Sequence, residues 1–261
     1  MPGKVYAYAE GSDVAKSVGR YILYEQDNAL SSSLTFDIAI SGGSLGKVLK
    51  AALVEDPVLL KKVQWDKWQV FFSDERLVPL DHPDSNYGLF NHMVLSNLPA
   101  NSPKPKVFHI DTTLLTGKDG QVKGSDFSKD EEIARKYESI LPQGGKLDLV
   151  LLGCGPDGHT CSLFPGHRLL QETSRLDAAL NDSEKPPSRR ITITLPVLQK
   201  ANAIAFVAEG SGKAPILKEI FENDNSKLPA KIVADLKKGA NVSWFVDNSA
   251  LNGVNIVTSK Y

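Results

Sequence analysis

Apolar residues along the chain occur in short runs that alternate with stretches of helical periodicity. The runs are apolar and often β-branched, a pattern typical of strands that are covered on both faces. They predict strands at residues 5–8, 36–41, 69–73, 107–110, 147–153, 191–194, 203–208 and 242–246. The stretches between them predict helices at 12–30, 44–54, 86–98, 129–140 and 212–221. This alternation indicates an α/β fold: an open, mostly parallel sheet with helices on both faces and binding loops at the carboxyl ends of the strands.

The pattern contains no internal repeat and no long linker, so we expect residues 1–261 to form a single domain. A chain of this length, 41% of it hydrophobic, is able to bury a sizeable core. Two polar stretches are predicted to be loops: LLTGKDGQVKGSD at 114–126 and LNDSEKPPSRR at 180–190. We expect the first to be a solvated surface insertion, because it is rich in Gly and Lys.

The charges of the chain nearly cancel, with 30 Lys and Arg against 31 Asp and Glu. No net field attracts nucleic acid or an anionic membrane, so an anionic ligand must be bound by a local site. Charged residues are scattered through the first 26 positions, which predicts neither a signal peptide nor a membrane span and favours a cytoplasmic location. The two cysteines, Cys154 and Cys161, are too few for a disulfide framework and are interpreted as packing residues.

A first candidate site is the segment Ser41-Gly42-Gly43-Ser44, between a predicted strand and a predicted helix. Adjacent glycines let backbone N–H groups point into the loop, and a helix N-terminus adds positive partial charge, so a phosphate would be well held here. A tight turn in which Ser44 caps the helix explains the same residues.

A second candidate follows the apolar strand of VFFSDERLVP, where Asp74, Glu75 and Arg76 are adjacent. Ligands of α/β proteins bind at the carboxyl ends of strands, which favours a functional interpretation. A solvated strand end with an ion pair would have the same composition.

The third candidate, GCGPDGHTCSLFPGH at 153–167, contains the pattern G-x-G-x-x-G. A dinucleotide fingerprint needs a sustained helix after the glycines, and Pro165 and Gly166 prevent one, so we reject that interpretation. What remains is Asp157 and His159 on a glycine turn, with the imidazole predicted at a helix N-terminus that favours its neutral form. Neutral imidazole is what a general base requires, although a histidine that only hydrogen-bonds the turn fits the same pattern.

The fourth candidate combines Arg189 and Arg190, just before a predicted strand, with Lys213 in the segment GSGK at a helix start. This segment is not a Walker A loop, because Ala214 stands where that motif has Ser or Thr. A lysine at a helix N-terminus still suits one phosphate. The sequence has no metal-ligand spacing and no G-x-S-x-G motif, so neither a metal nor a serine nucleophile is expected.

Five motifs stand in the order and spacing of 6-phosphogluconolactonases, which the chain resembles from about residue 38 to 217: SGGS, SDERLVP with SNYGLF, GPDGHTCSLFPGH, SRRITITLPVL and GSGKA. The resemblance implies the open α/β fold that this family shares with glucosamine-6-phosphate deaminases. Many members have Thr-Pro after the SGGS segment, whereas this chain has Leu45-Gly46. That departure affects side-chain contacts at the helix start and keeps the backbone N–H groups.

The resemblance also implies an activity: hydrolysis of 6-phospho-D-glucono-1,5-lactone to 6-phosphogluconate in the oxidative pentose phosphate pathway, without a cofactor. In this hypothesis His159 takes a proton from the attacking water and passes it to the ring oxygen. Either Asp157 or Asp74 orients the imidazole, and the sequence leaves that choice open. Arg76 is the candidate for stabilising the charge on the carbonyl oxygen.

The phosphate is expected to rest on residues 41–44 and Lys213, with Arg190 preferred over Arg189. The expected partner is therefore a small phosphosugar lactone, with no nucleic acid and no membrane. Nothing in the composition points to an obligate protein partner, so a monomer is expected.

The same fold suits two functions other than that of a lactonase. The related deaminases have a glutamate five residues after the histidine, where this chain has Phe164, which cannot transfer a proton. Lactone hydrolysis needs only one base and so keeps everything it requires. A sugar-phosphate sensor or interaction protein on the same fold stays open, because fold alone does not determine function.

Overall fold

The computed structural model describes residues 3–120, 126–236 and 241–261. In these residues the strands are β1 Lys4–Tyr8, β2 Phe36–Ile40, β3 Trp68–Phe72, β4 Asp74–Arg76, β5 Lys106–Val107, β6 Leu149–Gly153, β7 Asp177–Leu180, β8 Arg190–Ile193, β9 Ala203–Ala208 and β10 Val242–Asp247. The α-helices are α1 Gly11–Leu30, α2 Leu45–Lys50, α3 Pro57–Leu60, α4 Asn86–Met93, α5 Phe127–Ile140, α6 Leu195–Lys200, α7 Ala214–Glu222 and α8 Pro229–Leu236.

The main sheet is parallel throughout and has the strand order β1-β10-β9-β6-β2-β3-β5. At its centre Ile38 of β2 lies opposite Val70 of β3 and Leu149 of β6. All six residues of β9 are buried. Strands covered on both faces need apolar side chains on both faces, which is why these segments read as continuous apolar runs.

Helices cover both faces of this sheet, as the sequence predicted. Ile38 of β2 packs in the same cluster as Val18 of α1, on the face that also receives α2 and α4. Its neighbour Ala39 points the other way and joins the cluster of Ile133 of α5, on the face covered by α5, α7 and α8. The alternation of side chains along a strand therefore divides the core into two layers.

A second, antiparallel sheet has the order β4-β8-β7. The strand predicted at 191–194 lies in this sheet, as β8, and not among the parallel strands. Asp74 faces Thr192 and Arg76 faces Arg190 across β4 and β8, so this pairing brings two distant charged segments together. The predicted loop at 180–190 connects β7 to β8.

Most other predicted elements are present with shifted ends. The helix expected at 44–54 is α2 followed by a π-helical turn at Ala51–Glu55, and the strand expected at 107–110 is reduced to β5. Of the surface insertion expected at 114–126, residues 121–125 lie outside the described residues. No helix in the described ranges is long and apolar enough to cross a membrane.

Candidate active site

The residues singled out from the sequence surround one cavity of about 250 Å³ at the carboxyl end of the parallel sheet. Along the chain, β3 is added on one side of β2, whereas β6 and β9 are added on the other side. The order in which strands are added therefore reverses between β2 and β6, while all strands stay parallel. Crevices at such positions are the usual ligand sites of open α/β sheets. Of the candidate residues, Asp157, Glu75 and Arg189 are absent from the lining of this cavity, and the others line it. The lining residues are Ser41, Gly42, Gly43, Ser44, Asp74, Arg76, Gly153, Cys154, Gly155, Pro156, His159, Thr160, Cys161, Arg190, Val207 and Lys213.

The segment that carries His159 is a series of turns, and the helix N-terminus predicted there is wrong. No helical residue occurs between β6 and residue 167. Gly158 and Cys161 have positive φ angles of 81° and 53°, which interrupt any helix, and the Gly155 N–H donates to the His159 carbonyl at 2.9 Å. No helix therefore begins in the segment that carries the imidazole.

Asp157, and not Asp74, contacts the histidine. Its Oδ1 lies 2.5 Å from Nδ1 of His159. A carboxylate only accepts hydrogen bonds, so Nδ1 carries the proton and the neutral ring keeps its lone pair on Nε2. In the described part of the chain no hydrogen bond engages Nε2. The pair thus presents a basic nitrogen to the cavity.

Gly155 makes room for this pair. A Cβ atom at Gly155 would lie 2.0 Å from Nδ1 of His159 and 2.5 Å from Oδ1 of Asp157. Both distances are far below van der Waals contact, so a side chain at this position would displace the imidazole and the carboxylate. This glycine of the G-x-G-x-x-G pattern therefore provides space for the histidine, which is consistent with rejecting a dinucleotide fingerprint.

Burial and nearby charges have opposite effects on the pKa of His159, and also on the pKa of Asp157. Burial lowers the pKa of His159 below its usual value of 6.5, and the hydrogen bond and charge of Asp157 oppose that shift. Burial raises the pKa of Asp157, but the hydrogen bond and charge of His159 and the charge of Lys185 outweigh it and bring the pKa to about 2. Near neutral pH the site therefore holds an ionised Asp157 beside a largely neutral imidazole.

Lys185 lies beside this pair, a contact that the sequence analysis did not predict. Its Nζ is 3.3 Å from Oδ1 of Asp157 and 3.1 Å from Nδ1 of His159. It comes from the loop between β7 and β8, 26 residues after the histidine, so no local spacing could have indicated the contact. Its neighbours in the sequence are two prolines and polar loop residues.

Phe164 lies against the imidazole, with 5.0 Å between the ring centroids. It is almost completely buried, at 1% exposure. The position at which the resemblance places the proton-transferring glutamate of a deaminase is therefore an apolar wall of the site. It contributes to burying His159 and has no group that transfers a proton.

The loop at residues 41–44 has backbone groups available for an anion. None of the N–H groups of Gly42, Gly43 and Ser44 donates a hydrogen bond within the described ranges. Gly43 has a φ of 67°, and a Cβ at Gly42 would lie 1.8 Å from Oδ1 of Asn86, so both glycines are required here. Lys213 reaches the cavity from the start of α7 and donates to the carbonyl of Cys154 at 2.7 Å.

Arg76 extends from β4 into the cavity. Its Nη1 donates to the carbonyl of Asp84 at 2.8 Å, whereas its Nε is buried without a hydrogen-bond partner in the described part of the chain. A buried donor without a partner is costly, which favours a ligand at this position.

Glu75, the residue between the two charged groups of β4, faces away from the cavity. Its carboxyl accepts hydrogen bonds from the N–H groups of Arg76, Asn86 and Tyr87 at 2.7–2.9 Å. Burial raises the pKa of Glu75 to about 7, although these N–H groups lower it. Glu75 thus fixes the start of α4 against β4 and positions its two charged neighbours.

Asp74 is buried in a network of its own. Its Oδ2 accepts a hydrogen bond from the Ser162 hydroxyl at 2.7 Å and lies 3.8 Å from Nη1 of Arg190. Its Oδ1 is 3.2 Å from Nδ2 of Asn86. The sequence did not indicate that Ser162 and Asn86 contact Asp74, because they lie 88 and 12 residues from it along the chain. The network holds the carboxylate of Asp74 in the wall of the cavity.

The two adjacent arginines point in opposite directions. Arg190 lines the cavity, and its guanidinium donates to the carbonyls of Lys185 and Pro187 at 2.8 and 2.9 Å. Burial lowers the pKa of Arg190 to about 10, a shift that the carboxylate of Asp74 opposes. Arg189 instead donates to Asp130, on the opposite side of β8. The geometry therefore favours Arg190 over Arg189 as the cation of the site.

We expect Arg189 to stabilise the folded protein, and its replacement tests this directly. Arg189 and Asp130 are fully buried, with side-chain exposures of 1% and 0%. Arg189→Met leaves the carboxylate of Asp130 without its cation, so we expect the free energy of unfolding to fall by about 3 kcal/mol in urea denaturation. Adding Asp130→Leu removes the orphaned charge and is expected to restore part of the loss. Unchanged stability of Arg189→Met would contradict this assignment.

The two cysteines are buried, and burial raises the pKa of Cys154 to about 12 and that of Cys161 further. Thiols with such pKa values are poor nucleophiles near neutral pH, in keeping with their interpretation as packing residues. Within the residues that the structure describes, no three His, Cys, Asp or Glu side chains form a group able to hold a metal ion.

Comparison with known proteins gives relatives along nearly the whole chain. 6-Phosphogluconolactonase 3 of Saccharomyces cerevisiae is 49% identical over 257 residues, which are 97% of this chain and 98% of that protein. 6-Phosphogluconolactonase of Homo sapiens is 35% identical over 262 residues, which cover 100% of this chain and 97% of that protein.

Solved structures show the same fold. 6-Phosphogluconolactonase from Trypanosoma brucei superposes with a TM-score of 0.78 at 26% identity and covers 97% of this chain and 99% of its own. A monomeric glucosamine-6-phosphate deaminase superposes with a TM-score of 0.73 at 17% identity, covering 95% and 99%, a likeness in fold. The family model described as glucosamine-6-phosphate isomerases/6-phosphogluconolactonase matches residues 9–244. The chain therefore belongs to the glucosamine-6-phosphate isomerase and 6-phosphogluconolactonase family.

Proposed function

We infer that the protein hydrolyses 6-phospho-D-glucono-1,5-lactone to 6-phospho-D-gluconate, a step of the oxidative pentose phosphate pathway. The relatives at 49% and 35% identity carry the name of this activity. The observation that carries the inference is the pair of His159 and Asp157, in which Nε2 is left free and the histidine lines a cavity shared with Arg76, Arg190 and Lys213. A base and several cations around one cavity suit an anionic lactone.

In the proposed mechanism, Nε2 of His159 takes a proton from water as the water oxygen attacks the lactone carbonyl carbon. Asp157 stabilises the imidazolium that forms. The tetrahedral intermediate then collapses, the bond from the carbonyl carbon to the ring oxygen breaks, and the ring oxygen receives the proton from His159. Arg76 stabilises the negative charge on the former carbonyl oxygen, a contribution of roughly 3 kcal/mol for one such donor in other enzymes.

The phosphate is proposed to bind at the other end of the cavity. The free N–H groups of residues 42–44 and the ammonium of Lys213 would hold its oxygens. Arg190 adds positive charge to the same cavity, although its N–H groups already engage loop carbonyls. Asp74 is proposed to act by holding Arg190 and Ser162 and not by orienting the imidazole.

The pH dependence of kcat/KM follows from the state of His159. The base must be unprotonated, so activity is complete above its pKa and is lost as pH falls through it. Because burial lowers that pKa below 6.5, we expect a plateau at pH 7 and above and an acid limb with its midpoint below 6.5. Initial rates between pH 5 and 8, corrected for spontaneous lactone opening, measure this profile. A midpoint above 6.5 would contradict the assigned environment of the base.

A test with two substrates separates this function from that of the related deaminases. We expect the protein to consume 6-phosphogluconolactone and to release no ammonia from glucosamine 6-phosphate, because Phe164 replaces the glutamate that the resemblance assigns to ring opening. Release of ammonia with the lactone untouched would overturn the proposal. The names of the curated relatives also disfavour a non-catalytic sensor.

We also propose that residues 1–261 form one domain and that the protein acts as a cytoplasmic monomer. One hydrophobic cluster contains both Val150 of the parallel sheet and Ile191 of the antiparallel sheet, which supports a single folding unit. Size-exclusion chromatography with light scattering is the test of the monomer.

A further inference from the structure

We propose that Lys185 is a positioning residue of the active site: its ammonium group holds the carboxylate of Asp157 against His159 and disfavours the charged imidazolium. This inference rests on the proposed function, in which the neutral imidazole is the base. It assigns a role to the loop between β7 and β8, which the mechanism above does not otherwise use.

The contacts of the three groups determine which hydrogen bonds are possible. Because Nδ1 of His159 donates its proton to Oδ1 of Asp157, that nitrogen has no lone pair to accept from Lys185. The ammonium therefore donates to Oδ1 of Asp157, 3.3 Å away, and its 3.1 Å approach to Nδ1 is a contact without a hydrogen bond. One carboxylate oxygen thus lies between two donors and is fixed by both.

The loop is built to hold Lys185 in this place. The guanidinium of Arg190 donates to the main-chain carbonyls of Lys185 and Pro187. The hydroxyl of Ser183 donates to the Lys185 carbonyl at 2.8 Å and lies 3.2 Å from the Lys185 N–H. The main chain at Lys185 is therefore fixed from both sides, and the half-exposed side chain extends to the pair.

The charges that act most strongly on the ring of His159 come from three segments, and the cations Arg76, Arg190 and Lys213 line the same cavity. Asp157 lies in the same turn, Lys185 in the loop before β8, and Asp74 in β4. The two carboxylates favour a protonated ring, whereas burial, to which the apolar ring of Phe164 contributes, and the ammonium oppose it. Without the ammonium of Lys185, the carboxylates of Asp157 and Asp74 would be less opposed, so His159 would be protonated at a higher pH.

The same arrangement matters in the second half of the reaction. Once His159 has taken the proton from water, an ammonium close to its ring makes the imidazolium a stronger acid. A stronger acid returns its proton more readily to the departing ring oxygen. Lys185 would thereby favour ring opening without touching the substrate.

The test compares Lys185→Met with Lys185→Arg in two measurements. The first is kcat/KM for the lactone between pH 5 and 8, and the second is an NMR titration of the His159 ring in the free protein. In Lys185→Met we expect both the acid limb and the ring titration to move upward by roughly 0.5 to 1 pH unit. Lys185→Arg keeps a cation and is expected to restore most of the wild-type values. Lys67→Met, at the amino end of β3 and opposite the cavity, controls for net charge.

Unchanged titration of His159 in Lys185→Met would overturn the proposal. A higher KM at every pH, with the titration unmoved, would also overturn it and make Lys185 a substrate contact instead. The NMR titration needs no substrate, so it tests the effect of Lys185 on His159 even if the protein does not hydrolyse the lactone. Failure of the proposed role of Lys185 can therefore be distinguished from failure of the proposed function.

Discussion

Replacing His159 with glutamine is expected to lower kcat for lactone hydrolysis by about 1000-fold, within the range for loss of a general base. Glutamine is close in size to histidine and keeps a polar end, but it cannot take a proton from water. The loop at residues 41–44 and Lys213, which are proposed to hold the phosphate, are untouched, so the affinity for 6-phosphogluconate is expected to change little. Steady-state kinetics give the first quantity, and calorimetry with the product gives the second.

The combination of the two measurements makes the His159 prediction specific. A large loss of kcat together with a lost affinity for product would point to a damaged cavity and not to a missing base. A loss of kcat below about 10-fold would contradict the assignment of His159 as the base, because another group would then supply most of the proton transfer.

Gly155→Ala is expected to reduce kcat/KM by about 100-fold or more, although the substitution adds only a methyl group. The new Cβ would lie 2.0 Å from Nδ1 of His159, so the imidazole has to move. A displacement of about 1 Å in a catalytic group is enough to cost about two orders of magnitude. Kinetics of the purified variant measure the effect, and thermal unfolding shows whether the fold is kept.

Gly212→Ala is the matched control for this prediction. A Cβ at Gly212 meets nothing within 4 Å, and its φ angle is not in the left-handed region. We expect this variant to retain wild-type activity. Near-normal activity in Gly155→Ala would show that the turn accommodates a side chain and that His159 is not held as described.

The large features of the fold follow from the sequence because they are local. β6 and β9 are apolar on both faces, and β2 departs from this only at Asp37, which is sufficient to predict buried parallel strands and to place binding loops at their carboxyl ends. β7 was missed because its sequence, Asp-Ala-Ala-Leu, has little intrinsic strand preference. It becomes a strand through its pairing with β8.

The site was predictable where the residue type itself restricts the chemistry. His159 on a glycine turn and the glycines at 42 and 43 could be singled out from their own segments. Because side chains alternate along a strand, adjacent residues such as Arg189 and Arg190 are expected to point to opposite sides of the sheet. Which of the two faces the cavity is determined by how the two sheets pack. Lys185 could not be predicted in this way, because the loop that carries it contacts residues that are distant in the sequence.

The helix expected at His159 shows where local patterns fail. A glycine turn followed by Thr and Ser resembles a helix start, but the positive φ angles at Gly158 and Cys161 keep the chain in turns. The imidazole is favoured in its neutral form chiefly by burial, and no helix begins in its own segment. Burial thus favours the expected neutral state, although the structural reason expected for it, a helix start at the histidine, was wrong.

The most direct test of the central claim is the rate at which wild-type protein consumes freshly generated 6-phosphogluconolactone. The product is oxidised by 6-phosphogluconate dehydrogenase as it forms, and a reaction without the protein gives the spontaneous opening of the lactone. We predict a rate that rises in proportion to protein concentration and far exceeds the spontaneous rate. A rate equal to the spontaneous one, in a protein that still binds 6-phosphogluconate, would contradict the account and indicate a sugar-phosphate sensor.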